Sequence, residues 1–240
     1  MPPVDLAALH RSLQTASKQR RITFWTRFCL DHEIAERAVP LFALSGDHVS
    51  VQPYGLDQRL ILQRSPQMES LVINEVQKVV QDFSARTEEF EGLIYMMLWK
   101  DDNLILPLYI GKSEKYGKTQ NLSANIAHIE TNKSFFCRWG YNYAYHIGDL
   151  SAVVCPGHPQ KKINRKYTKW AERLFLSFPS EFPKLRRETY FWIKAWKHGS
   201  AGIWKEYGET SLTFLEYLLI GVSSDLFSDL LLNEEGVNRR

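Results

Sequence analysis

Residues 92–112 read GLIYMMLWKDDNLILPLYIGK, two runs of aromatic, β-branched and large apolar side chains on either side of Asp101-Asp102-Asn103. Such side chains favour strands, and a short polar turn between two runs predicts a β-hairpin. Pro107 has no N–H to give to a ladder, so it predicts an edge position or a bulge in the second run. Downstream, Asn121 can cap a helix over 122–131, a second helix is expected over 167–178, and ETYFWIKAW (188–196) reads as a third strand. Thr210 or Ser211 can cap a final helix running through Ile220. The order strand, strand, helix, helix, strand, helix predicts an α+β fold, a small antiparallel sheet flanked by helices. Residues 134–165 match no simple element and read as an insertion.

Upstream of the hairpin the pattern differs. Residues 4–17 and 22–37 have apolar side chains at helical spacing, and 39–65, with Pro40, Gly46, Pro53 and Gly55, predict turns between short strands. Ser65-Pro66 opens a helix to Phe83 that buries Val72, Val76, Val79 and Phe83. The acidic ARTEEFE at 85–91 reads as a junction. It divides the chain into a helix-rich accessory region, 1–88, and a second domain, 89–240.

Of the 240 residues, 44% are hydrophobic and 13% aromatic, enough to build a core and too apolar for a disordered chain. The most apolar stretch, Leu212–Val222, is interrupted by Glu216, and the N-terminal MPPVDLAALHRS lacks a signal-peptide core. A soluble cytoplasmic protein with no membrane partner is therefore expected. Cys29, Cys137 and Cys155 are odd in number and widely spaced, which points to reduced thiols without a disulfide or zinc framework. Residues 1–90 hold 10 Lys/Arg against 11 Asp/Glu, whereas 151–205 hold 12 against 3. A basic, aromatic-rich segment of this kind suits a phosphate backbone, and on charge alone it is equally consistent with an ordinary solvated basic surface. Lys161, Lys162 and Arg165 are its candidate nucleic-acid ligands, with Lys112 and Lys115 after the hairpin. The N-terminal helices, without such an excess, are expected to pack on the second domain or to form a homodimer.

Gly92-Leu93-Ile94-Tyr95 and Tyr109-Ile110-Gly111-Lys112 resemble the two signature tripeptides of the GIY-YIG endonuclease superfamily, with 13 residues between the tyrosines. The resemblance covers residues 90–240. It implies a metal-dependent endonuclease acting on nucleic acid, DNA above RNA, with Tyr95 and Tyr109 on adjacent strands and a metal-binding Glu on the helix after the third strand. Glu216 falls there, and independently of any family it sits on a helix face formed by Leu212, Thr213, Leu219 and Ile220, where a carboxylate is costly unless paired or bound to a cation. Asn233 matches the family's closing Asn, with Asn238 as the spare.

The chain departs from that pattern in one respect: KSEKYGKTQNLSANIAHIE (112–130) has no Arg after the second tyrosine motif. Lys118 or Lys112 could contact phosphate there, and Arg138 in the insertion could supply the missing guanidinium. His146 and His128 are candidates for proton transfer. The implied mechanism is in-line hydrolysis with one Mg²⁺ or Mn²⁺ on Glu216, a tyrosine or histidine orienting the water, and Arg138 or a lysine offsetting charge on the phosphate. Two alternatives stay open: an inactive nucleic-acid-binding module on a degenerate nuclease fold, and a partner-binding α+β protein whose tyrosine motifs are coincidental. Restriction, mobile-element or defence roles are analogies of fold alone.

Overall fold

The computed structural model describes residues 6–101, 104–127 and 146–237, with side chains from residue 15 onward. The N-terminal elements are α1 (Leu6–Asp31), α2 (Ile34–Arg37), the short strands β1 (Val39–Pro40), β2 (Leu44–Ser45), β3 (His48–Val49), β4 (Val51–Tyr54) and β5 (Arg59–Leu62), and α3 (Pro66–Ala85). The hairpin strands follow as β6 (Phe90–Asp101) and β7 (Leu104–Glu114), then α4 (Ile147–Val154), α5 (Arg165–Leu174), β8 (Tyr190–Lys197) and α6 (Leu212–Leu226).

An antiparallel sheet in the order β1-β8-β6-β7 lies at the centre. Alternate side chains of a strand point to opposite faces. Leu93, Tyr95, Met97, Phe191, Ile193 and Ala195 enter one core with α3, α4 and α5. Ile94, Met96, Leu98, Trp192 and Trp196 enter the other with α1 and α6. Helices cover both faces, which is why β6 is apolar without polar alternation from Leu93 to Trp99. The result is an α+β fold with a small antiparallel sheet between helical layers. The apolar faces of α1 and α3 are buried on this same sheet, and β1 pairs with β8 through Val39 and Phe191. No helix among the described residues is long and apolar enough to cross a membrane.

The structure revises several expected boundaries. The two N-terminal helices are one long helix, α1, followed by the single turn α2. The helix expected over 167–178 begins at Arg165, where Asn164 caps it, and ends at Leu174. Over 122–127 there is one turn, closed by Ala127 N–H on the Ser123 carbonyl (2.7 Å), and the rest of that expected helix lies outside the described residues. The segment 134–165 contains α4, an eight-residue helix buried along its whole length. A short apolar run of this kind has no periodicity to mark it as helix or strand. Ser65 and Ser211 do cap α3 and α6, accepting from Met68 N–H (2.9 Å) and Phe214 N–H (3.4 Å).

Pro107 lies on the edge strand, and the register of β6 with β7 slips beside it, between Met97 and Leu98. Beyond the slip Tyr95 is opposite Gly111 and Met97 opposite Tyr109. A Cβ on Gly111 would sit 2.6 Å from Cζ and the hydroxyl of Tyr95, so the tyrosine ring occupies the space a side chain would need. Gly92 has φ +149 at a bulge against β8, and a Cβ there would meet the Ser113 carbonyl at 2.2 Å. Both glycines of the hairpin are thus required by close backbone approach. Gly111→Ala should cost about 1–3 kcal/mol through overpacking against Tyr95. Urea unfolding measures this directly, and a stability unchanged from wild type would contradict the proposed contact.

Candidate active site

Tyr95 and Tyr109 project from adjacent strands into the same face, with ring centroids 6.3 Å apart. The Tyr95 hydroxyl bonds that of Tyr109, and Tyr109 in turn lies 3.2 Å from His146 Nε2. His146 Nδ1 is 2.6 Å from the Tyr167 hydroxyl. His146 holds its position as the left-handed residue (φ 60) that starts α4, and Tyr167 sits in the first turn of α5. One turn on, Trp170 packs against Tyr109, His146 and Tyr167, with centroids 4.9, 5.1 and 5.5 Å away. The Lys166 ammonium stands 5.6 Å from the Tyr109 ring centroid and 5.7 Å from that of Trp170.

Burial, reinforced by Lys166, lowers the His146 pKa to about 3, so its imidazole is neutral. If Tyr95 donates to Tyr109, the Tyr109 proton points at Nε2, and the imidazole proton is assigned to Nδ1, donating to the Tyr167 oxygen. Four side chains then form one continuous path for a proton, ending in the interior.

Glu216 approaches the same place from the opposite layer. Its carboxylate accepts the Lys112 backbone N–H, and its pKa is raised, chiefly by burial and further by Glu114 and Glu235. The edge of β7 between them is closed by the segment after α6. Leu232 N–H bonds the Leu108 carbonyl (2.6 Å), and Asn233 pairs both ways with Ile110, accepting its N–H at 3.0 Å and donating to its carbonyl at 2.8 Å. Residues 108, 110 and 112 alternate along an edge strand, so each turns its free backbone groups outward, and each finds a partner here. The outcome is a cleft of about 210 Å³ lined by Tyr109, Lys166, Glu216, Tyr217, Asn233 and Glu234, among others. Tyr95 is buried behind Tyr109, so of the two hairpin tyrosines it is Tyr109 that faces the cleft.

Other candidates are dispersed. Lys115, expected to contact nucleic acid, is instead buried: its side chain is 1% exposed, and its ammonium pairs with Asp82 (2.7 Å) and donates to the Thr87 carbonyl (2.9 Å), a structural lock unavailable to phosphate. Burial works against the Asp82 charge, but the bonds from Lys115, Thr87 and two backbone amides lower its pKa to about 2. Lys112 is held by Glu114 and by Thr213 (2.7 Å). Lys118 is exposed and lines a separate groove with Glu88 and Asn125. Lys161 and Lys162 lie in the turn leading to α5, and Arg165 opens that helix, one residue before Lys166. Arg138, His128, Asn238 and Cys137 lie outside the described residues. Five of the 12 basic residues of 151–205 are offset in space, where Lys169, Lys184, Arg187, Lys197 and Lys205 pair with Glu234, Asp47, Asp101, Glu89 and Asp31. Lys166, Tyr167 and Trp170 escaped the sequence reading, because their spacing on an amphipathic helix is that of ordinary core and surface positions.

For a metal, the cleft offers Glu216 with Glu234 and Glu235, and Glu216 is the one whose pKa burial raises; among the described residues no group of three or more His, Cys, Asp or Glu gathers around a common point that could hold an ion. A hard divalent ion would therefore take most of its oxygens from water and substrate, as Mg²⁺ commonly does.

The His146 pKa lies below the 6.5 of a free imidazole, so the unfolded chain takes up the proton first as pH falls. Its contribution to stability is complete above 6.5 and is lost progressively toward pH 3. NMR titration should find the His146 ring still neutral at about pH 5, and His146→Gln should flatten the acid limb of stability. Protonation near 6.5 would contradict the buried path. Comparison of the chain with protein-family models, with curated proteins and with solved structures finds no match.

Proposed function

We propose that the chain is a metal-dependent endonuclease of GIY-YIG type that hydrolyses phosphodiester bonds in nucleic acid, with DNA as the expected substrate. The supporting observation is the convergence of Tyr109, Lys166 and Glu216 from three different elements on one cleft at the edge of β7. A backbone phosphate seated there meets the Lys166 cation and the Tyr109 hydroxyl, while Glu216, with Glu234 and Glu235 nearby, makes the other side of the cleft acidic and in need of a cation. Glu216 would hold Mg²⁺ or Mn²⁺, which when bound polarises the phosphate and favours departure of the leaving oxygen.

Tyr109 orients the attacking water, and its hydroxyl is itself oriented by hydrogen bonds with His146 Nε2 and with Tyr95 behind it. Burial and the Glu216 charge raise the Tyr109 pKa to about 12, so a free phenolate is disfavoured. Neutralising Glu216 removes part of that cost, which couples metal loading to the readiness of the phenol. Lys166 offsets charge on the phosphate oxygens in the place of the absent guanidinium, though as a point charge without the fork of Arg. Arg165, Lys161 and Lys162 extend the cationic surface from Lys166 along the chain and suit the flanking phosphates. Asn233 keeps the β7 edge covered, so that Tyr109 and Glu216 face each other across a fixed wall.

A second reading, a binding module that grips without cutting, is favoured by one observation: the cation facing this cleft among the described residues is a lysine. Incubation of plasmid, single-stranded DNA and RNA with Mg²⁺ or Mn²⁺, with sequencing of any new ends, separates the two. Glu216→Gln should lower cleavage by at least about 100-fold. The same variant should fold at least as well as wild type, because it removes a partly desolvated charge. Full activity in Glu216→Gln would sink the metal assignment, and salt-sensitive binding without cleavage by the wild type would select the binding module.

A further inference from the structure

A second charged cavity lies on the opposite edge of the sheet from the Glu216 cleft. Strand β1 covers β8 only at Phe191 and Tyr190, leaving the rest of that edge open. There a cavity of about 450 Å³ is lined by His32, Arg37, Glu75, Lys78 and Lys194, with Trp196 among the apolar residues of its wall. Glu75 is its one acidic group. Its Oε2 accepts the Ala195 N–H (2.8 Å), and its Oε1 is shared by Arg37 (3.2 Å) and Lys78 (2.7 Å).

Lys194 has no carboxylate partner among the described residues. Its half-buried ammonium lies 3.0 Å from His32 Nδ1, and burial together with Arg37 and Lys78 lowers its pKa. Burial also holds His32 neutral, with a pKa of about 4, so Nδ1 accepts from Lys194 and Nε2–H remains a donor. The nearby acids do not supply the missing charge: Asp31 is paired with Lys205 at 2.6 Å, and Glu33 acts on Lys194 only from a distance. The third lysine of the wall, Lys197, is already paired with Glu89. Arg37, Lys78 and Lys194 against Glu75 therefore leave two uncompensated positive charges in a concave site, and a half-buried cation is costly without a counter-ion.

We propose that this cavity binds a phosphate monoester dianion, held by Lys194, Lys78 and Arg37 with His32 as an additional donor. The charge decides between phosphate classes. A monoester bears about −1.5 to −2 at neutral pH and matches the excess, whereas an internal phosphodiester bears a single charge. The monoester could be the phosphorylated end of a nucleic acid strand or a small phosphate ester. The proposal does not rest on the nuclease reading.

Calorimetry in EDTA at fixed ionic strength, with inorganic phosphate, acetate, and 5′-phosphorylated and 5′-hydroxyl forms of one short oligonucleotide, tests it on the full chain. Phosphate should bind the wild type in preference to acetate, and Lys194→Gln and Lys78→Gln should each weaken it by about tenfold or more. Glu216→Gln should bind phosphate as the wild type does. A preference for the phosphorylated oligonucleotide identifies a strand end as the source, while phosphate binding with no difference between the oligonucleotides identifies a small ester. Without phosphate, Lys194→Gln should melt no lower than wild type, because the residue lacks a counter-ion. Phosphate binding no tighter than acetate, unchanged binding in both lysine variants, or a lower melting temperature of phosphate-free Lys194→Gln would each overturn the proposal.

Discussion

The approach of the Tyr95 ring to Gly111, which leaves no room for a Cβ there, is the constraint from which the rest of the molecule follows. It is possible only in the register that also places Met97 opposite Tyr109, after the slip beside Pro107. That register puts Tyr95 and Tyr109 on one face, beneath α4 and α5, and turns the backbone groups of Leu108, Ile110 and Lys112 toward the open edge. A one-residue shift of β7 would send Tyr109 into the opposite layer, away from Tyr95, and leave the edge with different partners.

The edge of β7 is the second determinant. An uncovered edge strand presents unpaired backbone groups, a template for further pairing. Here the segment after α6 closes it, and the amide of Asn233 supplies both a donor and an acceptor to one residue, as a neighbouring strand would. Glu216 completes the row at Lys112. The group proposed to hold a metal and the asparagine beside it thus also protect the sheet. Binding chemistry and edge protection share the same few residues, and the cleft stays narrow because its wall is hydrogen-bonded backbone.

Much of this was legible in the sequence where local chemistry is decisive. Two dense apolar runs around a polar turn define the hairpin, Ser65 and Ser211 mark helix starts, and a carboxylate at position 216 of an apolar helix is an anomaly visible without coordinates. What was not legible depends on partners far along the chain. Lys115 reads as a surface cation until Asp82, 33 residues earlier, is brought against it. The basic stretch 151–205 reads as a continuous patch until acids from both termini and the hairpin neutralise nearly half of it. The helix α4 is too short and too uniformly apolar to declare its period, so the seat of His146 could not be foreseen. Lys166 and Trp170 become site residues only because α5 lies over Tyr109.

The central claim is that Tyr109 and Glu216, from opposite sides of the sheet, act on one phosphate. A crystal structure with Mn²⁺ and an oligonucleotide carrying a non-cleavable phosphorothioate linkage tests this most directly. The account predicts an anomalous manganese peak at the Glu216 carboxylate, with a backbone phosphate between it and the Tyr109 hydroxyl and within reach of Lys166. An oligonucleotide ordered elsewhere on the protein, with no manganese at Glu216, would contradict it.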